Sequence, residues 1–311
     1  MAASDAVARH LLDIDRLSDR DLDWLIARAR SLAAGASPAV LDYAVVNLFF
    51  EPSTRTRVSF ELAAARLGMR VINVELERSS STKGESLEDT AATLAAMGVD
   101  ALIVRHPETG RCHRLAEALP APLKLLNAGD GSGHHPSQAL LDVATLELAG
   151  VELSGARVVI VGDILRSRVA RSDIAALLRR GAAEVCLSGP PDWLPDRVPA
   201  GVCTAASLAE AVAEADVVIM LRIQHERMGR QSWPDSADYH ADWGLRPEHL
   251  ERASPDCRVL HPGPINRGVE ISDAVADGPQ SLILEQVRMG VYARMAIFEW
   301  LFASDHLAAR V

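Results

Sequence analysis

The chain has 311 residues, of which 49% are hydrophobic and 24% charged, and a formal net charge of −10 at pH 7. That length accommodates two domains of ordinary size, each with its own core. The acidic balance carries no basic block and so argues against a general nucleic-acid binder, and no apolar run approaches the ~20 residues of a membrane span.

Strand-like and helix-like segments alternate almost throughout, which implies parallel sheets with crossover helices. The spacing predicts a helix over 21–33, with Leu22, Leu25, Ile26 and Ala29 on one face. Next come strand 43–50, helix 54–67 closed by Gly68, strand 70–76, a polar loop over 77–84 and helix 85–97. Strand 100–105, helix 111–118 and strand 122–126 follow. The last of these runs into Asn127-Ala-Gly-Asp-Gly-Ser-Gly133, the most Gly-rich loop of the chain, before helix 136–149.

A second series comprises strand 157–161, helix 168–179, strand 184–188, a short helix over 207–214 and strand 216–221. A long polar loop over 223–246 precedes strand 258–260, and a final apolar helix over 281–303 is expected to pack back on the first domain. The expected fold class is α/β: two domains, each a mostly parallel sheet flanked by helices, spanning 1–134 with 286–311, and 135–285. The N-terminal residues hold no signal-peptide core. Cys112, Cys186, Cys203 and Cys257 lie far apart without a C-x-x-C, which points to reduced thiols, no zinc site and a cytoplasmic location.

Phe50-Glu-Pro-Ser53-Thr54-Arg55-Thr56-Arg57 departs from the usual charge pattern of a helix start. Ser53 or Thr54 is an N-cap, and the first turn, where the dipole favours acids by ~0.3–1 kcal/mol each, instead carries two arginines. With free backbone N–H groups at the carboxyl end of a strand, this is an anion site; a capped helix with two solvated arginines is the plainer reading. Arg105, at the end of the third strand, can add a guanidinium to the same anion or be a surface residue.

His134-His135-Pro136-Ser137-Gln138 opens a helix after the Gly-rich loop. Pro136 suits the first helical position, which puts His135 at or near the N-cap, where the dipole favours a neutral imidazole that donates a hydrogen bond. Gly162-Asp-Ile-Leu-Arg166-Ser-Arg168 follows a strand but lacks the G-x-G-x-x-G of a dinucleotide site, and its arginines favour a carboxylate or phosphate. Arg222 and Gln224, two apart in an extended segment, can grip a carboxylate together. Ser79 and Lys83 stand in the polar loop, and His261-Pro262-Gly263-Pro264 offers carbonyls to an –NH2 group. Each of these clusters also has an ordinary structural explanation when taken alone.

In order along nearly the whole chain, FFEPSTRTR, K-G-E, Arg105, H-P-S-Q, G-D-x4-R-V-A-R-S, L-R-x-Q and H-P-G-P resemble the catalytic chains of the aspartate carbamoyltransferase family. The first motif is shared by all carbamoyltransferases. The last two distinguish the aspartate from the ornithine enzymes, which would show a Ser-Met motif and H-C-L-P. Ser137 stands where Thr is common, and Gly263 where some members have Leu.

The resemblance implies transfer of a carbamoyl group from carbamoyl phosphate to L-aspartate, the second step of pyrimidine synthesis, with no metal or organic cofactor. It places Ser53, Thr54, Arg55, Thr56 and Arg105 on the phosphate, and Arg55, Thr56 and His135 on the carbonyl oxygen. Gln138 and the carbonyls around Pro262, Gly263 and Pro264 hold the carbamoyl nitrogen. Arg168, Arg222 and Gln224 hold the aspartate carboxylates, with Lys83 reaching both substrates. Ser79 and Lys83 would enter the neighbouring chain's site, which makes the catalytic unit a homotrimer. Closure of the 223–246 loop over aspartate is a further expectation. Regulatory chains or a dihydroorotase partner are left open. A sensor on the same scaffold, lacking His135 and Lys83, and a nicotinamide dehydrogenase are the rival classes.

Overall fold

A computed structural model of the chain describes residues 9–74, 85–223 and 236–308. Ser79, Lys83 and Gln224 therefore lie outside the described residues. The chain divides into two compact units, Met1–Leu140 with Gly290–Val311, and Leu141–Met289.

The first unit contains β1 (His10–Leu11), α1 (Asp19–Ala33), β2 (Ala44–Phe49), α2 (Thr54–Arg66), β3 (Arg70–Asn73), α3 (Leu87–Ala96), β4 (Ala101–His106), α4 (Arg111–Ala118) and β5 (Lys124–Asp130). α5 (Pro136–Leu148) begins in it. Its sheet is parallel, in the order β1-β5-β4-β2-β3. Val45, Val46 and Leu48 of β2 are fully buried, as a parallel strand covered on both faces requires. Buried Asn47 interrupts that run and donates to Asn73 Oδ1 at 2.8 Å.

Ser18 caps α1 by accepting from the Asp21 N–H, and Leu22, Leu25, Ile26 and Ala29 are buried, as their spacing predicts. The last helix, α11 (Ile283–Ala308), lies against the first unit through its C-terminal half. There Trp300 donates to Asp21 at 2.7 Å, Arg28 grips Glu299 at 2.5 and 2.9 Å, and Phe298 meets Phe60 edge-on at 5.9 Å.

The second unit contains β6 (Arg157–Val161), α6 (Arg168–Arg179), β7 (Glu184–Ser188), β8 (Val202–Ala205), α7 (Leu208–Ala211), β9 (Val217–Met220), α8 (Ser236–Trp243), α9 (Pro247–Leu250), β10 (Arg258–Leu260) and α10 (Asp273–Ala276). Its sheet is also parallel, in the order β10-β9-β6-β7-β8.

Three expectations are corrected. β5 continues through Asn127–Asp130, which the sequence presents as loop, because tertiary contacts satisfy its polar side chains. Asn127 donates to Leu12 O at 2.9 Å and to Asp130 at 3.0 Å. β8, a short edge strand pairing only with β7, is missing from the sequence reading; its Val-Cys-Thr-Ala is too brief to show a period. The second half of the long polar loop is α8, held by Tyr239, which is 1% exposed and stacks on Trp193 with ring centroids 5.6 Å apart.

Two buried carboxyls make opposite contributions. Asp130 is fully buried and accepts from Gly110 N–H at 2.7 Å, His134 N–H at 2.8 Å and Asn127 Nδ2. Asp130→Ala would leave several donors unmet, at about 1–3 kcal/mol for each fully buried one. Thermal denaturation should show a fall in Tm of well over 5 °C, and an unchanged Tm would remove Asp130 from this role.

Asp173, on α6, is 1% exposed with neither carboxylate oxygen hydrogen-bonded among the described residues. Burial, then the Asp142 charge, pushes its acid well above the ordinary 3.8. Folding then takes up a proton once the unfolded group ionises. This contribution to stability is full below about pH 3.8 and is lost as pH rises through the folded-state value. Asp173→Asn should therefore raise Tm at pH 8 more than at pH 5, and an equal change at both would contradict the assignment.

Candidate functional site

Each sheet reverses its winding once. In the first unit the chain passes from β2 outward to β3, then returns to the other side of β2 to form β4 and β5. At such a switch point the connections leave neighbouring strands in opposite directions and open a crevice beyond their carboxyl ends. Here that places the Phe50–Arg57 segment beside Arg105: Phe49 and Arg105 are register partners, and Phe50 N–H donates to Arg105 O at 2.8 Å.

Ser53 is the N-cap of α2, yet its hydroxyl makes no cap hydrogen bond, and the first turn holds no acid. Thr56 is buried, while Thr54 and Arg55 are exposed. Arg57 takes no part in this cluster, since it leans on Glu61 one turn on, at 3.6 Å. Arg105 is held partly by protein: Nη1 donates to Ala128 O at 3.3 Å, and Nε lies 3.4 Å from Glu51. The β4–β5 ladder shifts register between Val104 and His106, with the extra residue on β5.

His135 follows the turn built on Asp130. A side chain at Gly133 would meet Asp130 Oδ1 at 2.8 Å and Asp130 O at 3.0 Å, so it would push on the carboxylate that holds the turn. Pro136 is the first residue of α5, and His135 O accepts from Gln138 N–H at 2.9 Å, which makes His135 the N-cap as its sequence position predicts. The imidazole is 4% exposed, with Nδ1 3.4 Å from Ser137 Oγ. Arg294 of α11 lies 3.4 Å from the same hydroxyl and covers the Phe60 ring at 4.8 Å. Gln138 is 8% exposed on the first turn of α5.

In the second unit the reversal falls between β6 and β9, where the chain returns from β8. Arg168, the first residue of α6, is 3% exposed, and Ser167 caps that helix by accepting from Ala170 N–H at 3.0 Å. Arg166 differs from the sequence reading, since both Asp163 oxygens hold it at 3.1 Å and offset its charge. Arg222, just past β9, is half-buried. His261-Pro-Gly-Pro264 leaves β10, the next strand in the sheet. Gly263 adopts φ 67°, where a leucine would be strained by about 1–2 kcal/mol, and its N–H is tied to His261 Nδ1 at 2.8 Å. The glycine therefore shapes this loop.

Sequence reasoning missed Glu51, Asp130, Arg294 and Glu270, which lies 3.0 Å from His261 Nε2, as supports of these groups. The first stands within the FFEPSTRTR motif and could have been found there. The others are single residues distant in sequence from what they hold, and no local signal marks them.

Residues 9–147 match the aspartate/ornithine carbamoyltransferase carbamoyl-P binding domain, and residues 154–301 match the Asp/Orn binding domain of the same family. The chain is 49% identical over 306 residues to an aspartate carbamoyltransferase catalytic subunit of Xanthomonas campestris pv. campestris, covering 96% of this chain and 97% of that one. The Stenotrophomonas maltophilia subunit is 48% identical, with 94% and 96% covered. A crystal structure of Trypanosoma cruzi aspartate transcarbamoylase with carbamoyl aspartate and phosphate superposes at TM-score 0.83, with 29% identity over 95% of this chain and 96% of that one. Ornithine carbamoyltransferase from Pyrococcus furiosus superposes at 0.82 with 25% identity, covering 94% and 97%, so the fold by itself does not select the acceptor. The chain belongs to the aspartate/ornithine carbamoyltransferase family.

Proposed function

We propose that this protein transfers the carbamoyl group of carbamoyl phosphate to the amine of L-aspartate, giving N-carbamoyl-L-aspartate and phosphate. The observation that carries this reading is the α2 start: an uncommitted cap hydroxyl, a first turn without acids, and Arg55 in that turn, at the sheet's winding reversal. Such a helix start is electrostatically unfavourable when empty and favourable around a phosphate. The high identity to aspartate carbamoyltransferase subunits, with Arg222 after β9 and the H-P-G-P loop after β10, supports aspartate as the acceptor.

In this mechanism Ser53, Thr54, Arg55, Thr56 and Arg105 hold the phosphate oxygens. Arg105 exchanges part of its contact with Glu51 for the more highly charged ligand. The aspartate amine attacks the carbamoyl carbon, a C–N bond forms, and negative charge grows on the carbonyl oxygen. Arg55, Thr56 and His135 donate to that oxygen, each such donor contributing about 2.7–4 kcal/mol in comparable oxyanion sites. The C–O bond to phosphate then breaks, and the departing phosphate takes the proton of the amine. Gln138 and the carbonyls of residues 262–264 hold the carbamoyl –NH2. Arg168, Arg222 and Gln224 bind the two aspartate carboxylates, so the protein acts mainly by placing and polarising the reactants.

The finer features of this reading are a homotrimer in which Ser79 and Lys83 serve the neighbouring chain's site, a cytoplasmic location, and a place in pyrimidine synthesis. The resemblance of the sequence motifs supports them.

A colorimetric assay for ureido product, with carbamoyl phosphate and either aspartate or ornithine, tests the assignment. Product is expected with aspartate alone, whereas product with ornithine alone would overturn it. Arg55→Ala should cut kcat by roughly 10²–10³ while Tm stays level or rises slightly, because the variant removes a cation from a helix start. A marked loss of Tm would make Arg55 structural. Inorganic phosphate at 100 times its Kd should stabilise the wild-type fold by about 2.7 kcal/mol and the variant by much less. Equal stabilisation of both would place the anion elsewhere.

A further inference from the structure

The H-P-G-P loop sits on a buried hydrogen-bond network, in which Glu270 accepts through Oε1 while its Oε2 has no partner among the described residues. Gly263 N–H, which can only donate, lies 2.8 Å from His261 Nδ1, so Nδ1 is the unprotonated nitrogen. The proton of the neutral ring is then on Nε2, 3.0 Å from Glu270 Oε1, to which it donates. The same oxygen accepts from Asn266 N–H at 2.7 Å, so one carboxylate ties the loop at both ends. The His261 N–H donates to Gln286 Oε1 at 3.0 Å, and Gln286 donates in turn to Asp142 at 2.5 Å. His261 is 1% exposed, Glu270 0%, Gln286 2% and Asp142 2%, so water does not compete for these bonds.

The consequence lies in the peptide between Pro262 and Gly263. Among the described residues only the bonds before Pro122 and Pro264 are cis, so this one is trans. In a planar trans peptide the C=O points opposite to the N–H. With the Gly263 N–H drawn onto the buried imidazole, the Pro262 carbonyl must point away from it. The other tautomer would set Nδ1–H against Gly263 N–H, two donors face to face, and would favour a flipped peptide with the carbonyl turned inward.

We propose that Glu270 is a positioning residue: by holding His261 in the Nε2–H tautomer, it fixes the outward direction of the Pro262 carbonyl that receives the carbamoyl –NH2. This rests on the proposed reading that the loop carbonyls take that group. It identifies a determinant of donor specificity, since an acyl phosphate whose –NH2 is replaced by methyl gains nothing from an aimed carbonyl.

The test compares Kd for carbamoyl phosphate and for acetyl phosphate in wild type, Glu270→Ala and Glu270→Gln, with Tm measured for each. The wild type should prefer carbamoyl phosphate. Glu270→Ala should lose about tenfold to a hundredfold in that preference, mostly through weaker carbamoyl phosphate binding, with acetyl phosphate little changed. Glu270→Gln keeps an oxygen that accepts from both donors and should retain most of the preference. It also provides a folded comparison if the alanine variant is unstable, and in that case Glu270→Asp, with its acceptor withdrawn by one methylene, should show the loss. In 15N-histidine spectra the wild-type His261 should report the Nε2–H tautomer. An unchanged preference in Glu270→Ala or Glu270→Asp, an equal loss for both ligands, or an Nδ1–H tautomer in wild type would each overturn the role of Glu270. No preference in the wild type itself would instead remove the underlying reading of the loop.

Discussion

The reversal of winding in each sheet is the constraint on which the rest depends. Parallel strands direct all their carboxyl ends to one edge, but ordinarily each connection crosses over its neighbour and covers that edge. Where the chain turns back, between β2 and β4 and again between β6 and β9, two connections diverge and the edge stays open. Segments far apart in sequence become neighbours there: Phe50 and Glu51 beside Arg105 in the first unit, and Val161 beside Leu221 in the second.

Cations collected at helix starts cost stability, and the structure answers each in a different way. Arg57 turns to Glu61 on its own helix, and Arg166 is taken up by Asp163. Arg105 leans on Glu51, a carboxylate from the same motif as Ser53, Thr54 and Thr56. Arg55 remains exposed in a turn with no acid. Arginines that look alike in the sequence thus differ in the structure, and the nearest acid sets how much of each charge is offset.

Buried polar groups beneath the loops hold the loop backbone in place. Asp130 organises the turn that delivers His135 to the start of α5, and Glu270 organises the loop after β10. Both work by accepting from several N–H groups at once, so backbone that follows no regular ladder has its hydrogen bonds satisfied internally. Asp173 shows the reverse: a carboxyl buried without such donors is held in its neutral form by the surrounding low dielectric and the nearby Asp142 charge.

The alternation of apolar runs with 3.6-residue periods was enough to reveal the α/β class, and strands such as Arg157–Val161 and helices such as Arg168–Arg179 appear at their expected bounds. Burial on one or both faces writes itself locally. The Phe50–Arg57 motif was legible for a related reason, since charges placed against a helix dipole stand out within one turn. Tertiary structure alone decided that Asn127–Asp130 is strand, because its polar side chains find partners only from distant segments. It alone decided strand order, and so which strand-end segments become neighbours. Pairing energy depends on neighbours brought together by folding, and no local pattern in Arg105, Arg294 or Glu270 specifies those neighbours.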